Sequence, residues 1–259
     1  QNIQNSGAVC HREVSHDRLP NCQNGPGKMV EANLYLGYGP VGTRGITKPP
    51  AIDPEIQTAK LWLGFPDNYE NEVKQAVQLA AWFGTMGSRS RNGWGSLQMD
   101  KGEIPNAADL NSFIRPLKQS LQLDWPHAIG TDNQGRVLVW KTNPQNSWRD
   151  AMKELARVKI AFRTAFPFNG GHGPFNSRHL LAYPVTNHPV QEWGNQARLG
   201  NQVRFKVVKE NSKYVGLIVH LPCKLPSELA TKLRQQPDEL SVWQQVHQVL
   251  DKQPTISRL

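Results

Sequence analysis

The chain has 259 residues, a net charge of +9, 38% hydrophobic residues and eight tryptophans, which excludes a disordered composition and leaves room for about two domains. Positive charge of this size favours polyanionic partners, nucleic acid before an acidic membrane surface. Only three cysteines occur, and there is no long apolar run or export signal. We therefore expect a cytoplasmic protein without a disulfide framework or a membrane span.

The first third of the chain alternates short apolar patterns with turn-forming residues. Leu34, Leu36 and Tyr38 alternate as in a strand, and Leu61, Leu63 and Phe65 repeat that pattern. The predicted elements, in chain order, are a polar tail or linker over residues 1–32, strands over 33–38 and 59–65, a helix over 70–83 that buries Val73, Ala76, Val77, Ala80 and Ala81, a loop over 84–95 and a strand over 96–99.

The rest of the chain gives clearer signals. Ser147 followed by Asp150 resembles a capping box and predicts a helix to about Phe166. The other predicted elements are a short helix near 110–121, a turn at 132–135 before a strand over 136–141, loops over 167–200, a hairpin over 203–208 and 214–221, and a final helix from Pro237. These elements predict an α+β protein of two domains with antiparallel sheets, divided near residue 105.

The loop over residues 84–95 is rich in glycine and contains two arginines. Its glycines free the backbone for close approach to a polymer, and Arg89 and Arg91 would point the same way in an extended segment. Each guanidinium can bind a phosphate with two hydrogen bonds, while Ser88 and Ser90 offer hydroxyl groups. Trp94 either stacks on an unpaired base or packs in the core. Together these residues favour single-stranded RNA, whereas the pattern of a mononucleotide phosphate loop is absent.

The segment from Phe83 to Leu97 resembles the glycine-rich loop of the RAMP superfamily of CRISPR proteins. Its pattern Phe-Gly-x-x-Gly-x-Arg-x-Arg-x-Gly-aromatic-Gly-Ser-Leu is similar to that of the first Cmr subunit in type III-B effector complexes. Weaker likeness extends over residues 33–52, and over Arg198-Leu199-Gly200 with the hairpin that follows. The resemblance covers about residues 33–100 and 196–222.

This resemblance implies two ferredoxin-like (RRM-like) domains, a partial one over 33–105 and a second over 106–259. The first strand and first helix of the family have no counterpart in residues 1–32, so the chain is either a fragment or is completed by another chain. The implied function is that of a non-catalytic RNA-binding subunit of an antiviral type III CRISPR complex. It would contact guide or target RNA and neighbouring subunits, with no cofactor or metal. The residues predicted to contact RNA are Arg44, Lys48, Gly84, Gly87, Ser88, Arg89, Ser90, Arg91, Asn92, Gly93, Trp94, Gly95, Arg198, Arg204 and Lys206.

Other interpretations stay open. The main alternative is a metal-independent RAMP endoribonuclease that processes guide precursors, with His172 or His179 as the acid–base group. Cys10, His11, His16 and Cys22 could bind zinc, although their spacing matches no common zinc motif. In the hairpin, Arg204 and Lys206 alternate with Val203, Phe205 and Val207, which predicts either a solvated basic face or a phosphate-contacting one.

Overall fold

The computed structural model describes residues 21–23, 27–41, 60–99, 103–168 and 173–259 of a mixed α/β protein. The predictions for Cys10, His11, His16, Arg44, Lys48 and His172 lie outside these residues. No helix in the described ranges is long and apolar enough to cross a membrane.

Eight strands and seven α-helices occur in the described part of the chain, together with two 3-10 helices at Asp67–Tyr69 and Ala108–Phe113. The strands are β1 (Asn21–Gln23), β2 (Met29–Glu31), β3 (Ile114–Pro116), β4 (Ile129–Thr131), β5 (Val139–Thr142), β6 (Val203–Glu210), β7 (Lys213–His220) and β8 (Ile256–Arg258). The helices are α1 (Ala32–Gly37), α2 (Glu70–Phe83), α3 (Leu117–Ser120), α4 (Trp148–Thr164), α5 (Arg178–Leu181), α6 (Ser227–Ala230) and α7 (Glu239–Asp251).

A four-stranded antiparallel sheet in the order β6-β7-β5-β8 is the centre of the fold. The strands and the two long helices that pack on the sheet follow one another along the chain as β5-α4-β6-β7-α7-β8. The hairpin between β6 and β7 turns at Asn211 and Ser212, which both have positive φ angles, as a two-residue hairpin turn requires. The predicted hairpin is therefore confirmed.

Both faces of this sheet are buried. On one face Trp140, Phe205 and Ile218 join the main core with α4 and α7. On the other, Val139 and Val219 join a second cluster, against which Leu79, Trp82 and Phe83 of α2 pack. Because consecutive residues of a strand point to opposite faces, a sheet covered on both sides needs apolar residues at nearly every position. The sequence of β7, Lys-Tyr-Val-Gly-Leu-Ile-Val-His, meets that need.

Helix α4 begins as the capping box predicts. Ser147 Oγ accepts a hydrogen bond from the backbone N–H of Asp150 at 3.1 Å and donates one to its carboxylate at 2.6 Å. Where α4 crosses the sheet, a β-carbon on Gly216 would lie 2.8 Å from Leu155, so only a glycine lets the helix approach β7 this closely. The final helix is likewise confirmed, with Trp243, Val246 and Leu250 buried.

Several predictions for the first third were wrong. Residues 32–37 form α1 and not a strand, since Ala32 and Leu36, four residues apart, are buried together against the main core. Residues 60–66 form no strand: Leu61 and Trp62 are 72% and 87% exposed, and no described segment pairs with them. Helix 70–83 is confirmed, but its packing stripe consists of Leu79, Trp82 and Phe83 and not the smaller residues predicted, because large aromatic side chains bury more area.

The other differences concern pairing and loops. The segment 96–99 is not a strand, because only Ser96 forms a bridge, to Thr85. Residues 110–121 form a 3-10 helix, β3 and α3 in place of one helix, and β3 pairs with β4 in parallel, so the sheets are not all antiparallel. The region 167–200 contains α5, and Leu180, Leu181, Tyr183, Val190 and Trp193 of this region are buried in the main core.

Residues on both sides of position 105 share one hydrophobic core. Cys22, Ala32 and Leu36 belong to the same cluster as Leu155 and Phe162 of α4. The division near residue 105 stays a prediction, and Cys22, Ala32 and Leu36, which precede it, pack on the later part of the chain.

Candidate nucleic-acid interface

The glycine-rich loop begins where α2 ends and turns back on itself. The Met86 N–H donates to the Gly95 carbonyl at 2.8 Å, and Thr85 and Ser96 form an antiparallel bridge. Gly95 has φ +65°, and a β-carbon there would lie 1.7 Å from the Met86 carbonyl oxygen. Only glycine fits this position, so the fold itself requires at least one of the loop glycines. Residues 84–95 form no helix or strand, which confirms the predicted loop.

The loop and the residues after it run along the free edge of β6. The N–H groups of Phe205, Val207 and Lys209 donate to Arg91 O at 3.1 Å, to Ser96 Oγ at 2.9 Å and to Gln98 Oε1 at 2.8 Å. An edge strand otherwise exposes its unpaired N–H groups to other chains. Covering this edge is therefore one role of segment 91–98, independent of any ligand.

The buried side chain of Asn92 anchors the loop to the rest of the protein. This side chain donates to the Leu36 carbonyl at 2.8 Å and accepts from Lys159 Nζ at 2.8 Å. The amide thus ties the loop to α1 and α4, and both polar atoms of its side chain are used inside the protein. This placement gives Asn92 a positioning role rather than direct contact with a ligand.

Arg89 and Arg91 have exposed side chains, but they do not lie in an extended segment as predicted. Residues 88–91 form a turn, and Arg89 has φ +60°, an uncommon conformation for a residue with a β-carbon. The guanidinium of Arg89 lies near Gly39, whereas that of Arg91 lies over Gly200, where an added β-carbon would be 1.4 Å from Nη1. The two arginines therefore have different neighbours and extend the basic surface in two directions.

Three further cations, Lys159, Arg178 and Arg204, belong to the same basic region. Burial and the nearby guanidinium groups of Arg163 and Arg89 lower the pKa of the buried Lys159 to about 7. Burial, with a smaller contribution from Arg163, lowers the pKa of Arg178, and burial with the charge of Arg91 lowers that of Arg204. These three cations therefore lie in a poorly solvated region in which neighbouring positive charges disfavour one another's charged forms.

In the part of the chain that the structure describes, these cations have no acidic partners. Among the residues that the structure describes, no carboxylate forms an ion pair with Arg89, Arg91, Lys159, Arg163, Arg178 or Arg204. The Nε atoms of Arg163, Arg178 and Arg204 are buried without an acceptor in the described part of the chain. Buried donors are almost always satisfied, so these three N–H groups call for acceptors from beyond the described residues.

The other predicted contact residues fall in different places. Ser88 is exposed and Ser90 half-buried, while Gly84 ends α2 with its N–H bonded to Ala80 O at 2.8 Å. Exposed Arg198 donates to the carbonyls of Asn195 and Ala197. Gly87 and Gly93 both have positive φ angles.

Lys206 is buried, so the predicted solvated basic face of β6 was wrong. Its ammonium group donates to Ala81 O at 2.5 Å at the C-terminal end of α2, and burial lowers its pKa to about 8. A cation at the negative end of a helix dipole stabilises the docked helix. This contact fastens α2 to the sheet and leaves the ammonium no route to a ligand outside.

Trp94 is half-buried and packs against the main core, with its Nε1 buried and without a partner among the described residues. In the strand predicted over 96–99, Ser96 and Gln98 would share a face with Trp94, opposite Leu97 and Met99. Instead Ser96 and Gln98 bind the β6 backbone, and Leu97 and Met99 are 46% and 44% exposed.

Of the two histidines proposed for catalysis, His172 lies outside the described residues and His179 is held inside the protein. His179 is buried, its Nδ1 lies 2.9 Å from the Asn176 N–H and its Nε2 lies 3.0 Å from the His188 carbonyl oxygen. With Nδ1 accepting and Nε2 donating, both ring nitrogens are used, and burial lowers the pKa. Cys22, the described member of the proposed zinc set, is buried, and no metal-binding group of three ligands occurs among the described residues.

Sequence reasoning missed the residues that the fold brings to the loop from elsewhere, namely Tyr35, Lys159, Arg163 and Arg178. One signal was present: Lys159 follows Leu155 by four residues and so lies on the apolar stripe of α4. A lysine on a buried helix face needs a partner or a function.

Comparisons with protein families, curated proteins and solved structures find no match to this chain.

Proposed function

We propose that this chain binds single-stranded RNA, as a non-catalytic subunit of an RNA-guided assembly of the type III CRISPR kind. The observation that supports this function best is the group of cations around Arg89, Arg91 and Lys159, which has no acidic partners among the residues that the structure describes. A phosphate backbone supplies the negative charge and acceptor oxygens that this group lacks. The likeness of segment 83–97 to the RAMP loop gives the preference for RNA and for a CRISPR complex.

The topology supports one of the two proposed ferredoxin-like domains. The order β-α-β-β-α-β, with the first strand between the third and the fourth, is that of the ferredoxin-like fold. RRM domains of this type bind RNA on an open sheet face. Here that face is covered by α2 and its neighbours, so we place the RNA on the side of the glycine-rich loop.

The test removes the two exposed arginines together. Arg89→Ala with Arg91→Ala should weaken binding to single-stranded RNA of any sequence and lower the slope of log affinity against log salt by about 0.7 for each phosphate that is no longer bound. Lys118→Ala with Lys232→Ala is the matched control, because it removes two exposed positive charges elsewhere. Filter binding of both double variants, measured at salt concentrations between about 50 and 200 mM, gives the two slopes to be compared. Equal slopes in both double variants would exclude backbone contact by the loop.

A second variant moves one arginine without changing the charge. The β-carbon of Gly200→Ala would occupy the place of the Arg91 guanidinium, which must then swing away. Because the displaced group is the flexible end of a side chain, the melting temperature should hardly change while RNA affinity falls. Unchanged affinity with the variant would show that the position of Arg91 over Gly200 is unimportant for binding.

The endoribonuclease alternative has a direct test. Repeat RNA incubated with the purified chain in EDTA should be retained and not cut. Of the two candidate histidines, His179 has both ring nitrogens engaged in the protein, whereas His172 lies outside the described residues. Cleavage under these conditions would favour the nuclease.

A further inference from the structure

One part of the basic surface lies deeper in the protein than the rest. It consists of Tyr35 on α1, Lys159 and Arg163 on α4, and Arg178 on α5, and we refer to these four residues as the Tyr35 cluster. Three elements far apart in the sequence thus bring three positive charges to one phenol. The exposed guanidinium of Arg89 lies close enough to contribute to the pKa shift of Lys159.

The geometry of the cluster is fixed by contacts within the protein. Lys159 Nζ lies 5.6 Å from the centre of the Tyr35 ring. Burial raises the pKa of Tyr35, and the positive charges of Arg163 and Arg178 partly offset that effect. Asn92 Oδ1 holds the same ammonium group at 2.8 Å. The Arg178 guanidinium lies 4.9 Å from the centre of the Phe168 ring, a cation–π arrangement that orients its plane. The four side chains are therefore placed before any ligand arrives.

Two donors of this cluster have no acceptor in the described ranges of the chain. The Nε atoms of Arg163 and Arg178 are both buried, and neither has a partner among the described residues. Their two arginines are half-buried, so the rest of each guanidinium reaches the surface. An anion bound there would satisfy the two N–H groups and offset charges that now repel one another.

We propose that the Tyr35 cluster binds a phosphate monoester, the terminal phosphate of an RNA strand whose backbone follows the glycine-rich loop. This inference rests on the function proposed above for its RNA ligand. A phosphodiester has one negative charge, whereas a terminal monoester has nearly two and three acceptor oxygens. The half-buried guanidinium groups of Arg163 and Arg178 can reach these oxygens, and the buried ammonium group of Lys159 adds positive charge without direct contact. The phenol of Tyr35, which can donate as well as accept, completes the set of donors.

The experiment compares three RNA oligomers of one sequence, with a 5′ phosphate, a 3′ phosphate or no terminal phosphate. For the full chain, one phosphorylated end should tighten binding about ten-fold, as expected for charge-assisted hydrogen bonds. Arg163→Gln and, separately, Arg178→Gln should abolish that difference and leave binding of the unphosphorylated oligomer largely intact. Arg157→Gln is the matched control, because it lies on the same helix and removes the same charge but pairs with Glu154 at 3.0 Å.

The outcomes separate this inference from the proposed function. Equal affinity of the unaltered chain for all three oligomers would overturn the terminal-phosphate site and leave RNA binding standing. Failure to bind any oligomer, with inorganic phosphate still raising the melting temperature in an Arg163-dependent way, would instead reject the RNA ligand and keep a monoester site. Inorganic phosphate and a nucleoside monophosphate, added as competitors, distinguish a strand end from a free small molecule. If one arginine variant does not fold, the other gives the same comparison.

Discussion

Two histidines form a neutral hydrogen-bonded pair in the core. The Gln202 side chain donates to Cys223 O at 2.7 Å and accepts from Cys223 N at 3.1 Å, which directs its Oε1 toward His220 Nε2 at 3.3 Å. His220 must therefore donate from Nε2 and accept at Nδ1, which lies 2.9 Å from His247 Nε2. This chain of hydrogen bonds assigns one tautomer to His220 and leaves no room for an additional proton between the rings.

The pair should make stability fall with acidity. Burial lowers the pKa of His220 well below its usual value, and burial together with Arg258 lowers that of His247 to about 3. Below about pH 6.5 the unfolded chain protonates these histidines while the folded chain does not, so acid favours unfolding. Each histidine then costs about 1.4 kcal/mol per pH unit, or about 2 kcal/mol between pH 7 and 5.

Urea unfolding at about pH 7, 6 and 5 measures the effect, over a range where most carboxylates stay ionised. His247→Gln keeps a donor for His220 and should remove about half of the pH dependence that the pair contributes, while the buried His179 contributes separately and equally in both proteins. His127→Gln, at an exposed position, is the control and should leave it unchanged. If His247→Gln loses as much stability on acidification as the unaltered chain, the pair is already protonated when folded or is open to solvent, and the reasoning fails.

Two other predictions follow from the packing of the first third. Trp94→Ala should lower the free energy of unfolding by about 3 kcal/mol and change RNA affinity little, because the ring packs on the core. An unchanged melting temperature with about a ten-fold loss of affinity would instead support stacking of Trp94 on a base. Residues 1–105 expressed alone should fail to melt cooperatively as a monomer, because Cys22 and Leu36 pack against partners on α4; a compact monomeric fragment with a sharp transition would contradict this.

The parts of the fold that sequence predicted are those specified by local rules. Helices α2, α4 and α7 and the β6–β7 hairpin have periodic apolar residues, with a cap in α4 and polar turn residues in the hairpin. The segment 33–38 was wrongly predicted because six residues with alternating Leu and Tyr fit a strand as well as a helix. Its true state depends on burial of Ala32 and Leu36 against α4, a contact over more than a hundred residues.

For the same reason, only part of the candidate site could be predicted from the sequence. Arg89 and Arg91 lie among glycines in the sequence, and this local pattern singles them out. Arg163 and Arg178 lie in unremarkable stretches, and only the packing of α4 and α5 brings them to Tyr35. Charge clusters assembled from distant elements leave no period or motif in the sequence, apart from a misplaced polar residue such as Lys159 on an apolar helix face.

The structure also separates the informative from the uninformative part of the loop pattern. Gly95 is required by its closeness to the Met86 carbonyl, and Ser96 is required to bind the β6 edge. Any protein that covers a sheet edge with such a turn would need similar residues whatever it binds. Arg89 and Arg91 have no comparable structural duty, and Arg89 even keeps a left-handed conformation that glycine would adopt more easily. Retaining a cation at a strained position is costly without a ligand, so the arginines, and not the glycines, are the stronger argument for an anionic partner.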